Sequence, residues 1–359
     1  MRRSLIALLC IAACGVLALS SCTKTPAPEI TTVTIDPLKL QMFQPLPEQM
    51  TSGANPISEE KVALGRMLYY EPRLSKSQEI SCNSCHLLDK YGVDSQPTSD
   101  GHKGQRGDRN APTVYNAAGH FVQFWDGRAA DVEAQAKGPV MNPVEMAMPS
   151  ERQVIIVLSS IPEYVEAFKR AFPEEKDPVT YNNMAQAIGA FERKLVTSSR
   201  WDKFLRGDQT ALNNEEKVGF NTYMEVGCQA CHSGTYLGGN MYQRLGLMKP
   251  WPDTSDPGRE KVTKNEADRM VFKVPSLRNI EKTAPYYHNG KVETLEEAVS
   301  RMAEYQLGKS LSSAQLKSIV TWFKTLTGDI PAGYIKPPVL PKSTARTPKP
   351  DLGSGETTG

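Results

Sequence analysis

Two pentapeptides, Cys82-Asn83-Ser84-Cys85-His86 and Cys228-Gln229-Ala230-Cys231-His232, constrain this 359-residue chain more than any other feature. In Cys-x-x-Cys-His, two thiols three positions apart can each add to one vinyl group of a haem, and the adjacent histidine then reaches the iron. With 7 Cys and 5 His in the chain, chance places one such motif in roughly two of every thousand chains of this composition. This chain carries it twice. A thioredoxin-type Cys-x-x-Cys would need a βαβ setting that the flanking pattern lacks. Zinc sites rarely put histidine directly after the second cysteine in both halves. The pattern therefore predicts a fold built round two covalently attached c-type haems, held by Cys82, Cys85 and His86 and by Cys228, Cys231 and His232.

The other three cysteines have separate uses. Arg2 and Arg3 precede an almost wholly apolar run, Leu5 to Leu19, which reads as an export signal and is too short for a confident membrane span. The run ends in Leu19-Ser20-Ser21-Cys22, which resembles the lipobox of bacterial lipoproteins. That resemblance implies a lipoprotein signal peptide over 1–21, cleavage before Cys22 and a lipid on its sulfur. Thr23, in the position after the cysteine, leans by the same resemblance towards the outer membrane, with the protein facing the periplasm. Cys10 and Cys14 leave with the signal, so no cysteine is spare for a disulfide. Arg2 and Arg3 leave too, taking 42 basic and 40 acidic residues to 40 of each. A neutral mature chain argues against nucleic acid as a partner.

Residues 22–50, with Pro26, Pro28, Pro37 and Pro45 among Thr and short apolar pieces, read as a tether. Ser58 can cap a helix carrying Val62, Met67 and Leu68, and Ser150 with Gln153 signals another. Tyr181, Met184, Ile188, Phe191 and Leu195 share one helical face. Thr294 with Glu297 opens a helix through Met302, and a last one runs from Ser313 to a stop at Gly328. Glu59-Glu60-Lys61-Val62 returns as Glu215-Glu216-Lys217-Val218, each ahead of a haem motif, which implies two related units. No convincing strand pattern appears. The expected class is mainly α, with two cytochrome c-like domains over 51–196 and 197–335, each binding one haem. From Lys336 onward Pro, Lys, Thr and Gly dominate, and composition predicts a disordered tail over 336–359.

Several segments between Asn55 and Ile330 resemble, in order and with compatible spacing, the bacterial dihaem cytochrome c peroxidases. They include Arg109-Asn110-Ala111-Pro112-Thr113, Gln123-Phe124-Trp125-Asp126-Gly127-Arg128, Val274-Pro275-Ser276-Leu277-Arg278-Asn279 and Met302-Ala303-Glu304-Tyr305-Gln306-Leu307-Gly308. The resemblance implies a peroxidatic haem in the N-terminal half and an electron-transfer haem in the C-terminal half. It makes His102 the removable far-side ligand of the first iron and Met302 the lasting far-side ligand of the second. Read alone, His102 is a loop histidine between glycines, and Met302 shares a helical face with Leu295, Ala298 and Val299 as a core residue would. Glu145 and Gln135 match the family's distal acid–base and its amide partner, and Trp125 the residue between the haems. Asn110, Thr283 and Pro285 match an interdomain Ca2+ site, one side-chain oxygen and two carbonyls suiting a hard cation that keeps several waters. His288 is expected to hydrogen-bond near the second haem, and His120, with no motif around it, reads as structural.

The implied activity is reduction of hydrogen peroxide to water by electrons from a small soluble donor, a c-type cytochrome or a cupredoxin. The enzyme is expected as a homodimer that meets the membrane only through its lipid. A related enzyme that oxidises tryptophan in a partner protein has tyrosine where Met302 stands and lacks the His102 ligand. A non-catalytic dihaem carrier would need no distal acid, so Glu145 and Gln135 discriminate against it.

Overall fold

The computed structural model describes residues 33–352; the expected signal peptide and Cys22 lie outside them. Nine helices of six residues or more occur among the described residues. They are α1 (Glu59–Tyr69), α2 (Val132–Met141), α3 (Glu151–Ser159), α4 (Pro162–Ala171), α5 (Tyr181–Glu192), α6 (Arg200–Leu205), α7 (Asn214–Val226), α8 (Leu295–Leu307) and α9 (Ser313–Phe323). Their starts follow from side chains that accept a backbone N–H: Ser58 from Lys61, Ser150 from Gln153, Thr294 from Glu297 and Ser312 from Gln315. Among the described residues no helix is long and apolar enough to cross a membrane.

Two apolar clusters result. The first gathers Leu64, Leu68 and Tyr69 of α1, Phe168 of α4 and Met184, Ile188 and Phe191 of α5. The second gathers Trp201 of α6, Phe220 and Tyr223 of α7, and Ile319, Trp322 and Phe323 of α9. Each is built on one close helix crossing. A Cβ on Gly65 would lie 1.8 Å from the Ala187 carbonyl oxygen in α5, and one on Gly219 would lie 2.1 Å from the Ser318 carbonyl oxygen in α9. Glycine at these two positions is therefore required by contact, not by backbone angle.

Three expectations need correcting. Residues 33–50 do not hang as a tether: Ile35 and Phe43 are buried in the second cluster, and the Leu46 N–H donates to Asp202 at 2.7 Å. Residues 336–352 are not a free tail either. Arg73 donates to the Pro341 carbonyl at 2.8 Å, Gln78 to the Pro348 carbonyl at 2.9 Å, and the Asp351 N–H to the Lys76 carbonyl at 2.9 Å. A proline-rich segment lacks a core of its own, but its extended backbone offers carbonyls to donors that the first lobe leaves short. A short ladder is also present, β1 (Tyr242–Arg244) against β2 (Val271–Lys273), antiparallel with Gln243 opposite Phe272. Three residues a strand fall below the length at which alternation is visible.

Candidate functional site

Each Cys-x-x-Cys-His motif follows one of the two glycine-bearing helices and faces its own cavity. Around Cys82, Cys85 and His86 the cavity measures about 610 Å³, and around Cys228, Cys231 and His232 about 230 Å³. None of these four cysteines forms a disulfide. No group of three or more His, Cys, Asp or Glu side chains able to hold a metal ion occurs among the described residues. A zinc site would need such a cluster and a thioredoxin-type motif a βαβ unit, and the described residues hold only a two-stranded ladder.

The two motif histidines share one hydrogen-bonding arrangement. His86 Nδ1–H donates to the Gly92 carbonyl at 3.3 Å and His232 Nδ1–H to the Leu237 carbonyl at 3.2 Å. This fixes the tautomer and leaves Nε2 with its lone pair. Burial lowers both pKa values, His232 to about 4, which favours the neutral ring that metal ligation needs. The carbonyls of Pro112 and Pro275 add a second acceptor beside each ring. One tyrosine then steadies each backbone: Tyr69 donates to the His86 carbonyl at 2.9 Å, and Tyr223 to the His232 carbonyl. Residues with these donors and shapes fit two covalently bound haems.

The internal repeat is more specific than the sequence reading had it. Gly65 and Tyr69 correspond to Gly219 and Tyr223, a Gly-x-x-x-Tyr pattern present in both helices, offset by two residues from the Glu-Glu-Lys-Val match. Pro112 and Asn116 likewise correspond to Pro275 and Asn279. Both asparagines are left-handed at φ 61°, and both donate to the Thr197 hydroxyl, at 2.9 and 2.8 Å. Thr197 thus ties the two halves at one oxygen. The sequence analysis passed over these residues, although both spacings could have been found.

Beyond the ligand loops the cavities differ. The larger one is lined by Glu145, Gln135, Arg128 and Glu192, the smaller by Met302, Phe272 and His288. Glu145 accepts from Asn142 Nδ2 at 2.9 Å; burial raises its pKa, and Arg128 partly opposes the rise. Arg128 lies 3.5 Å from the Phe124 ring centroid and binds Asp126 at 3.1 Å. Glu192, unnoticed in the sequence, is fully buried and pushed up to about 8 by desolvation and by Glu133. Trp125 lines both cavities and donates Nε1–H to the Asn110 carbonyl at 3.0 Å. His288 stacks on Phe272 at 4.4 Å and meets Trp125 edge-on at 6.4 Å.

His102 is not brought into the first cavity. Its backbone N–H donates to the Glu145 carbonyl at 2.8 Å, its ring is buried, and Nδ1 has no partner. Gly101 lies flat against Val144, whose carbonyl oxygen would be 2.0 Å from a Cβ there. Asn110 spends its amide N–H on the Gln96 carbonyl at 2.9 Å, which leaves Oδ1 as an acceptor, and it borders the second cavity with Thr283 and Pro285.

Known proteins resemble the chain over most of its length. The family model described as Di-haem cytochrome c peroxidase matches residues 59–210. Cytochrome c551 peroxidase of Pseudomonas aeruginosa is 47% identical over 316 residues, 86% of this chain and 90% of the relative. Its namesake in Nitrosomonas europaea is 48% identical over 306 residues, 84% and 90% of the two chains. Among solved structures, a MauG-like protein associated with microbial copper homeostasis superposes with a TM-score of 0.73 at 28% identity, covering 82% of this chain and 97% of that one.

Proposed function

The chain belongs to the dihaem cytochrome c peroxidase family, and we propose that its two cavities divide the work of reducing hydrogen peroxide. The overall activity is that of an oxidoreductase: hydrogen peroxide, two protons and two electrons give two waters. Covalently held haem iron, when bound, supplies the redox chemistry at which the O–O bond breaks. The observation that carries the division is the asymmetry of the far walls, a half-buried carboxylate and amide in one cavity against a thioether in the other.

In this reading residues 51–196 form the peroxidatic half and 197–335 the electron-transfer half. Glu145 would carry a proton from one peroxide oxygen to the other, a transfer helped by the upward push that burial gives its pKa. Asn142 holds that carboxylate by one oxygen, and Gln135 orients the peroxide. Met302, which lines the second cavity, would hold the second iron through its thioether, a ligand that favours the reduced metal. Trp125, as the wall common to both cavities, couples them. His102 would hold the first iron in the resting enzyme, and its glycine-flanked loop gives the backbone the freedom to release it. Its position outside the cavity, latched to Glu145, fits the withdrawn arrangement. Asn110 Oδ1 with the carbonyls of Thr283 and Pro285 holds Ca2+ between the halves. The donor is a small c-type cytochrome or cupredoxin, and the enzyme is a periplasmic homodimer anchored through a lipid on Cys22.

Glu145→Gln tests the assignment. With both haems attached, peroxide turnover should fall by about 10²- to 10⁴-fold while the absorption spectrum is kept. Turnover within about threefold of wild type would overturn Glu145 as the proton carrier.

A further inference from the structure

Lys273 is a buried cation without an anion. It stands at the end of β2, where its N–H donates to the Trp125 carbonyl at 2.8 Å, and only 6% of the residue is exposed. Its Nζ reaches two neutral acceptors, His120 Nδ1 at 3.4 Å and the Val122 carbonyl at 3.3 Å. It joins no ion pair of the described residues. Burial alone pulls its pKa down, to about 8, with no carboxylate acting on it. An ammonium has three donors, and one is left over.

His120 is short of a partner as well. A ring that accepts from an ammonium at Nδ1 carries its proton on Nε2, and that nitrogen is buried with no acceptor. Both residues line the cavity of Cys228, Cys231 and His232. Buried charge persists in proteins when it is paired, and a cationic donor beside a neutral one forms a receptor for a carboxylate.

We propose that Lys273, assisted by His120, binds a propionate carboxylate of the haem attached at Cys228 and Cys231, and so helps to set the potential of that haem. The assignment rests on the reading that a haem occupies this cavity. A fixed positive charge at the haem edge offsets the propionate's negative charge, which otherwise favours ferric iron. His120, which the sequence left as structural, becomes a positioning residue for Lys273.

Potentiometric titration of the holoenzyme reads the effect. Lys273→Met should lower the midpoint potential of the second haem and leave the first in place, while Lys273→Arg, which keeps the charge, should stay close to wild type. Enzyme carrying haem labelled with ¹³C at the propionate carboxyls supplies an independent readout in the redox difference infrared spectrum. The labelled band should move in Lys273→Met, and also in Lys273→Arg, where a planar fork replaces a point charge. An unchanged potential in Lys273→Met, or a labelled band that moves in neither variant, would overturn the proposal. If Lys273→Met does not accumulate, the Lys273→Arg band alone decides. A haem count of one covalent group per chain in the wild type would instead sink the premise.

Discussion

Asp202 is the residue whose replacement the structure prices most directly. Its carboxylate is fully buried and accepts four bonds: from Arg278 Nη1 at 2.8 Å, the Ser199 N–H at 2.8 Å, the Ser199 hydroxyl at 2.9 Å and the Leu46 N–H at 2.7 Å. Arg278, equally buried, also donates Nε–H and Nη2–H to the Thr235 carbonyl at 3.0 and 2.7 Å, on the loop just beyond His232, and Nη1–H to the Ser199 hydroxyl at 3.4 Å. Asp202→Asn keeps the shape and removes the charge. Arg278 would then be a guanidinium charge in the core with only neutral dipoles for company, a loss of about 3–5 kcal/mol. The amide also turns one acceptor into a donor, at least cost in place of Oδ1 against the Leu46 N–H, which leaves that group short by a further ~1–3 kcal/mol if nothing relaxes. Because the two losses share one side chain they overlap, and about 3–5 kcal/mol in total is expected. Urea unfolding of the holoenzyme, followed by haem absorbance and far-ultraviolet dichroism, measures it. The double variant Asp202→Asn with Arg278→Met should be less destabilised than the two single variants added together. A loss below about 1 kcal/mol in Asp202→Asn, or strict additivity in the cycle, would refute the pairing argument.

Other outcomes follow from the cavities and the helix crossings. Arg128 pulls the Glu145 pKa down against burial, so in Arg128→Met the acid limb of kcat/KM for peroxide should shift to higher pH; a profile that overlays the wild type excludes that influence. Glu192 rises from the ordinary carboxylate value to about 8 on folding, so the folded state holds its proton more tightly. Its stability contribution is intact below about pH 4.5 and is lost as pH climbs towards 8. Glu192→Gln should flatten that slope in thermal melts at pH 5 to 8, and an unchanged slope would assign it to other groups. Gly65→Ala drives a methyl into the Ala187 carbonyl and should cost at least ~1–3 kcal/mol by denaturant titration. A change within about 0.5 kcal/mol would mean that α1 and α5 can slide apart freely.

Local signals read well where one side chain decides. Ser58 and Thr294 each accept an N–H at the start expected of them, because a cap needs only its own three-residue neighbourhood. The haem motifs are legible for the same reason. The internal repeat was found through the wrong residues: Glu59, Glu60 and Glu215 are exposed first-turn acids, which helices favour generally, whereas Gly65 and Gly219 mark the shared contact. Met302 looked like core by spacing, and only the three-dimensional wall shows a cavity in front of it. Lys273 and Glu192 carried no local signal, since burial of a charge is decided by neighbours distant in sequence. The end segments failed on composition, which measures whether a stretch can form its own core and not whether it can lie on another's.

Those end segments run in opposite directions. The stretch from Val33 joins the cluster of Trp201 and Phe220, built by the later half of the chain. Tyr334 and Ile335 join the cluster of the earlier half, with Tyr334 stacked on Phe191 at 5.0 Å and bonded to its carbonyl at 2.7 Å. Each half is therefore completed by a piece whose covalent root lies in the other. Opening either core frees a terminal segment rooted in the other half, so neither half can come apart as a private event. The lacing makes synthesis order matter as well: the first core emerges early but receives its last packing residues only after the second has been made.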